Sequence, residues 1–292
     1  MPERSAVESK PLVYCYDGSF DGLLCCVFES YNSREIPSDV LPDTSELPFL
    51  LPVKAIATVP DRARRVRRSI PQKIGTDAMD FVRRAFLTCH AQKELLILRF
   101  LRMGYEKGPA IMRMLTDDTV HALMEAVRHL ENEAHLLTGF VRFSESNGVL
   151  VSTIEPKNIV LPIIAPHFCS RYPNERFVLY DKTHAMALLH QSGTWEIAEV
   201  EAFSMPEPDA KERKYRALWR LFYDTIEVDG RHNPRCRMGH MPKRYWRCMT
   251  EFMADPAPNK EALTEARPTL LTAPSLLPSP QTEANVYRTE NI

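Results

Sequence analysis

A chain of 292 residues, 44% hydrophobic and 26% charged, has the size and composition of a globular protein with an extensive core, folded as one large domain or two small ones. Lys+Arg (37) and Asp+Glu (38) nearly cancel, which excludes a global polycation and leaves any nucleic-acid surface to local segregation of charge. The seven cysteines form no C-x-x-C pair, no run approaches a membrane span and the N-terminus holds no apolar signal core, so zinc-ribbon and iron–sulfur chemistry are not expected and the cytoplasm is the expected location.

Residues 1–11 are polar and read as a flexible N-terminus, ahead of an α+β domain over 12–253. Val13–Asp17 reads as a short strand, turned by Asp17-Gly18-Ser19 into a helix whose apolar residues Phe20, Leu23, Leu24, Val27, Phe28 and Tyr31 share one face. Ser19 is the natural N-cap. The backbone at Gly18 and Ser19, beside the positive end of that helix, offers an anion site, with a plain capped turn as the alternative. Five prolines make 37–60 an extended connector rather than regular structure. A helical part follows over 61–137, broken near Gly104 and Gly108-Pro109, and its last helix starts at Asp117-Asp118.

Over 138–200 the period changes to that of strands. Phe140–Phe143 and Val149–Ile154 flank a Ser146-Asn147-Gly148 turn, and Ala185–His190 and Trp195–Val200 flank Gln191-Ser192-Gly193. An antiparallel sheet of four to six strands is expected, packed with helices from the N-terminal half and the C-terminal region. In the C-terminal helices, 210–253, Tyr215, Leu218, Trp219, Phe222 and Ile226 are spaced for a core-facing helix. A second helix from Pro242 would carry Tyr245, Met249, Phe252 and Met253 inward. The tail, 254–292, is rich in Pro, Ser, Thr and Ala and reads as disordered.

The densest chemical signal is basic. Arg231, Arg235, Arg237, Lys243, Arg244 and Arg247 occur with no acid between Asp229 and Glu251. Helical spacing sets Lys243, Arg244 and Arg247 opposite the apolar face with Trp246 at the border, an arrangement suited to a phosphate backbone with a base stacked beside it. The alternative is a solvated face whose arginines pair with carboxylates elsewhere. A second run includes Arg64, Arg65 and Arg68, with Val66 and Ile70 as a thin seam, and reads as a helix or as an arm that folds on a polyanion, with a plain solvated run as the alternative. Glu155, His167, Asp181 and His184 lie near strand ends and are candidate acid–base or metal residues if they converge, with purely structural roles as the alternative. No ligand-spaced metal motif is present, and no cofactor is expected.

Several phrases, taken in order, carry a resemblance: Tyr16-Asp17-Gly18-Ser19-Phe20-Asp21-Gly22, Gly139-Phe140-Val141-Arg142-Phe143, Ile154-Glu155-Pro156-Lys157-Asn158, Ala165-Pro166-His167-Phe168 and His240-Met241-Pro242-Lys243-Arg244-Tyr245-Trp246. Over roughly 12–253 the chain resembles a bacterial family described as probable DNA metabolism or DNA repair proteins. The resemblance implies a radical-SAM partner protein carrying a helix-hairpin-helix motif, and a similar domain occurs fused to uracil-DNA-glycosylase-like enzymes. It defines no catalytic residue, and this chain lacks the cysteine triplet of a radical-SAM cluster. The expectation is a DNA-binding or adaptor subunit. The alternatives are an enzyme acting on damaged DNA or a nucleotide through the sheet-end residues, and an interaction module without DNA contact.

Overall fold

The computed structural model describes residues 11–45, 51–201, 203–226 and 233–252; nearly all of the expected flexible N-terminus and the whole tail, 254–292, lie outside the described residues. They form an α+β structure with two sheets, in two compact units: Met1–Asn132 with Lys157–Ile159, and Glu133–Pro156 with Val160–Ile292. No described helix is long and apolar enough to cross a membrane.

In the first unit the central strand β1 (Val13–Tyr16) pairs in parallel with β2 (Asp39–Pro42) on one side and β3 (Val53–Ala55) on the other. The proline-rich connector thus contains regular structure after all. Pro42 ends an edge strand, where no N–H is needed, and the Pro52 carbonyl accepts the Val13 N–H at 3.0 Å. Ser19 caps α1 (Phe20–Asn32), its hydroxyl oxygen accepting the Gly22 N–H at 2.9 Å. Leu23, Leu24, Cys25, Cys26 and Val27 of α1 are buried.

The basic run over residues 62–73 is folded as helix α2 (Pro60–Lys73), not held as a free arm, because Ala63, Val66 and Ile70 bury a thin seam in the core. Helix α3 (Thr76–Phe86) precedes α4 (Lys93–Lys107), which runs unbroken through Gly104. Gly104 is there for proximity: a Cβ would lie 2.7 Å from Ile74 Cδ1. The break comes at Gly108, whose φ of +61° ends the helix. Helix α5 (Asp118–Phe140) starts where Asp117 Oδ1 accepts the N–H groups of Thr119 and Val120 at 2.9 and 3.1 Å. Residues 157–159 return to this unit, with Asn158 Oδ1 accepting the Cys89 N–H and Ile159 donating to the Leu87 carbonyl, both at 2.9 Å.

The described residues of the second unit include a five-stranded sheet in sequential order: β4 (Ser144–Ser146), β5 (Val149–Ile154), β6 (Phe177–Asp181), β7 (Met186–Gln191) and β8 (Thr194–Glu199). Both expected hairpin turns form, with positive φ at Asn147-Gly148 and at Ser192-Gly193, as two-residue turns of this hand require. The sheet is mixed rather than antiparallel, since β5 and β6 run parallel. Helix α6 (Leu161–Arg171) makes the crossover such a pair demands. Phe140–Phe143 is not a strand: α5 continues to Phe140, and Arg142 instead donates its N–H to the Cys248 carbonyl at 3.0 Å.

Two C-terminal expectations are overturned. Helix α7 (Ala210–Thr225) docks by its polar side, where the Glu212–Arg216 pair reaches Ser144 and Glu145, so Tyr215, Leu218, Trp219 and Phe222 are exposed instead of core-facing. After α8 (Pro234–His240), the segment from Pro242 forms a 3₁₀ helix over Lys243–Cys248. The Cys248 carbonyl at its end accepts the Arg142 N–H. Tyr245, Cys248 and Met249 are buried, Phe252 is half-buried, and Met253 lies outside the described residues.

Candidate nucleic-acid interface

Three residues per turn, in place of 3.6, repartition the C-terminal basic run. Lys243 and Trp246 then share one line, and Arg244 and Arg247 share another. The contacts follow this division. Arg244 packs over Tyr245 and reaches Glu133 at 3.5 Å, while Arg247 donates to Glu155 Oε2 at 2.6 Å. Glu155 also holds Lys182 at 3.4 Å; burial pushes its carboxyl up, but these two cations outweigh that and keep it below the usual carboxylate range.

On the other line, Trp246 stacks on Phe252 with centroids 4.3 Å apart and planes 16° from parallel, and its indole N–H donates to the Met241 carbonyl at 3.0 Å. Arg237 lies 5.7 Å and Lys243 5.8 Å from the indole centroid. Stacking on Phe252 takes one face of the indole, so Trp246 works here as a mount for cations more than as an open platform for a base. Arg235 is exposed on α8. Among the described residues, Arg235, Arg237 and Lys243 have no carboxylate partner, and Arg231 lies outside the described residues.

On α2, Arg62 pairs with Glu29, Arg67 with Asp21 and Arg64 with Asp61 of its own first turn. Arg65 sits 5.8 Å from the Phe28 ring, and Arg65 and Arg68, three positions apart on one helix face, have no carboxylate partner among the described residues. Local spacing gave no sign of this sorting, because Asp21 and Glu29 come from α1 and Glu133 and Glu155 lie about a hundred residues before their arginines. The aromatic mounts, Phe28 and Phe252, also lie outside the basic runs.

Of the four sheet-end candidates only Asp181 and His184 are seen to bond to each other among the described residues. Asp181, fully buried at the end of β6, accepts the His184 ring nitrogen Nδ1 at 2.7 Å. Its other oxygen accepts the N–H groups of Thr183 and His184 at 3.0 and 3.2 Å, which closes the β6–β7 turn and gives the carboxylate a structural task. Glu155 is engaged by Arg247 and Lys182, and exposed His167 turns its ring against Phe168. No described group of three or more His, Cys, Asp or Glu side chains could hold a metal ion. At Gly18 and Ser19, the Ser19 N–H and hydroxyl both donate to Asp17 Oδ1, at 3.0 and 2.7 Å. Burial works against the Asp17 charge, but the Ser19 bonds prevail and hold its carboxyl below the usual range, so an internal anion already occupies this turn.

No curated protein and no solved structure matches the chain. A family model described as a domain of unknown function matches residues 91–251, more than half of its length, from just before α4 to the 3₁₀ turns that carry Trp246 and Arg247. By that match the chain belongs to the DUF4130 family.

Proposed function

We propose that this protein is a DNA-binding adaptor subunit that works beside a repair enzyme. The observation that carries the reading is that Arg235, Arg237 and Lys243, around the Trp246–Phe252 pair, have no carboxylate partner among the described residues; Arg65 and Arg68 on α2, in the other unit, are a separate candidate surface. Nothing in a folded interior asks for such groups, whereas a phosphodiester backbone supplies the anions they lack. The ordered resemblance to probable DNA repair proteins supports the same reading and points to a radical-SAM helix-hairpin-helix protein as the partner that would supply the chemistry.

The test is a salt titration of binding to fluorescent single-stranded and duplex DNA. Replacing Arg235, Arg237 and Lys243 together by Ala should flatten the log–log slope by about 0.9 for each duplex phosphate that is no longer neutralised. Replacing Arg244 and Arg247, whose charges are already matched by Glu133 and Glu155, should leave the slope nearly unchanged. An unaltered slope in the first variant, or no binding at low salt, would sink the proposal.

A further inference from the structure

The Trp246–Phe252 pair fixes how the cations beside it are presented, and so which form of DNA they fit. One face of the indole lies against Phe252, with centroids 4.3 Å apart, and the indole N–H donates to the Met241 carbonyl. Stacking a base on that face would require the two rings to separate. Reading a base edge through the N–H would require that bond to break.

Arg237 sits 5.7 Å from the Trp246 centroid and 5.9 Å from that of Phe252, beside the stack and almost equidistant from its rings. Its Nε is buried without a hydrogen-bond partner, which leaves Nη1 and Nη2 as the edge that can take a pair of phosphate oxygens. Lys243, 5.8 Å from the same indole, adds a point charge. Contact with the rings limits the reach of both side chains. Bases of a duplex are read inside a major groove about 8.5 Å deep, which calls for a side chain that extends or an element that inserts. Phosphates lie on the outside of the duplex and call for neither. Charge density points the same way: a duplex carries one charge for about every 1.7 Å of axis, a single strand one for about every 3.4 Å. Single strands offset that deficit by stacking bases on open aromatic platforms, and the indole face against Phe252 is already taken.

We infer that the substrate class of this surface is double-stranded DNA, held by its phosphates without reading of base sequence. The inference rests on the DNA-binding reading above and narrows it. The test titrates the full chain against labelled probes of equal length: two duplexes of unrelated sequence, and oligo(dT). At one low salt concentration the duplexes should agree within about threefold, inside the roughly fivefold or more that a single mismatch costs a sequence reader. Both should bind about tenfold more tightly than oligo(dT). Emission from Trp246, taken as the difference between the natural chain and Trp246→Phe, should stay unchanged at saturating oligo(dT). If Trp246→Phe fails to fold, the affinity ratios of the natural chain decide alone. Equal or tighter binding of oligo(dT), a wider spread between the duplexes, or quenched Trp246 emission overturns the inference and leaves the DNA-binding reading standing. No binding of any probe at low salt overturns both.

Discussion

Glu94 lies in the first turn of α4 with 7% of its surface exposed. Burial raises its carboxyl above the ordinary range, an effect that its own backbone N–H and the neighbouring Lys93 offset only in part. Because the folded-state pKa is the higher one, the stabilising contribution is complete at low pH and fades as pH rises through the folded value. Glu94→Gln keeps the shape without the ionisation. It should therefore stabilise the protein against urea near pH 8 and change little near pH 4, where both forms are neutral; equal effects at the two values would contradict the burial argument. Tyr16, in the same core, is raised by burial too, with Glu94 as the next contributor. Cap residues were the most legible single positions: Ser19 and Asp117 announce their helices because an oxygen acceptor must sit where the first N–H groups have no partner. Buried Glu94 was not legible, since its surroundings come from distant elements.

Among whole elements, those fixed by local geometry read well from sequence. Asn147-Gly148 and Ser192-Gly193 demand their hairpins, and the apolar spacing of α1 demands its buried face. Elements fixed by remote partners did not. The 3₁₀ helix ends on a carbonyl bonded to remote Arg142, and α7 is held inward by an ion pair that sequence treats as surface. The same logic divides one basic run in two. Arg244 faces Glu133, which is 3% exposed, so Arg244→Ala should cost on the order of 1 kcal/mol in chemical denaturation, discounted because the arginine itself is half exposed. Arg235→Ala, on the exposed side of α8, should leave the stability within about 0.5 kcal/mol of the natural chain. Equal effects would mean that the run is not divided in this way. The composition of the basic run was thus legible, and its division between ion-paired cations and cations with no carboxylate partner among the described residues was not.

For the whole molecule, the family match and the folding unit do not coincide. Residues 91–251 begin just before α4, whose Leu96, Ile97, Leu98, Phe100 and Leu101 are buried in a core shared with β1 and α1–α3. A protein cut to 91–251 should uncover that face and be recovered as aggregate or bind a hydrophobic dye, whereas the full chain should do neither. A soluble, cooperatively unfolding fragment would show that α4 has another way to cover itself. The α+β class followed from helices, strands and helices in succession, but the parallel pairings did not, because period-two patterning is blind to strand direction.

The return of residues 157–159 to the first unit sets an order of events during synthesis. When Asn132 leaves the ribosome, the Cys89 N–H and the Leu87 carbonyl still await Asn158 and Ile159. Translation at roughly 5–20 residues per second leaves a gap of about one to five seconds before those partners emerge. Throughout that interval the nascent chain presents an incomplete edge, which makes this the window in which a chaperone bound at the tunnel exit would matter most.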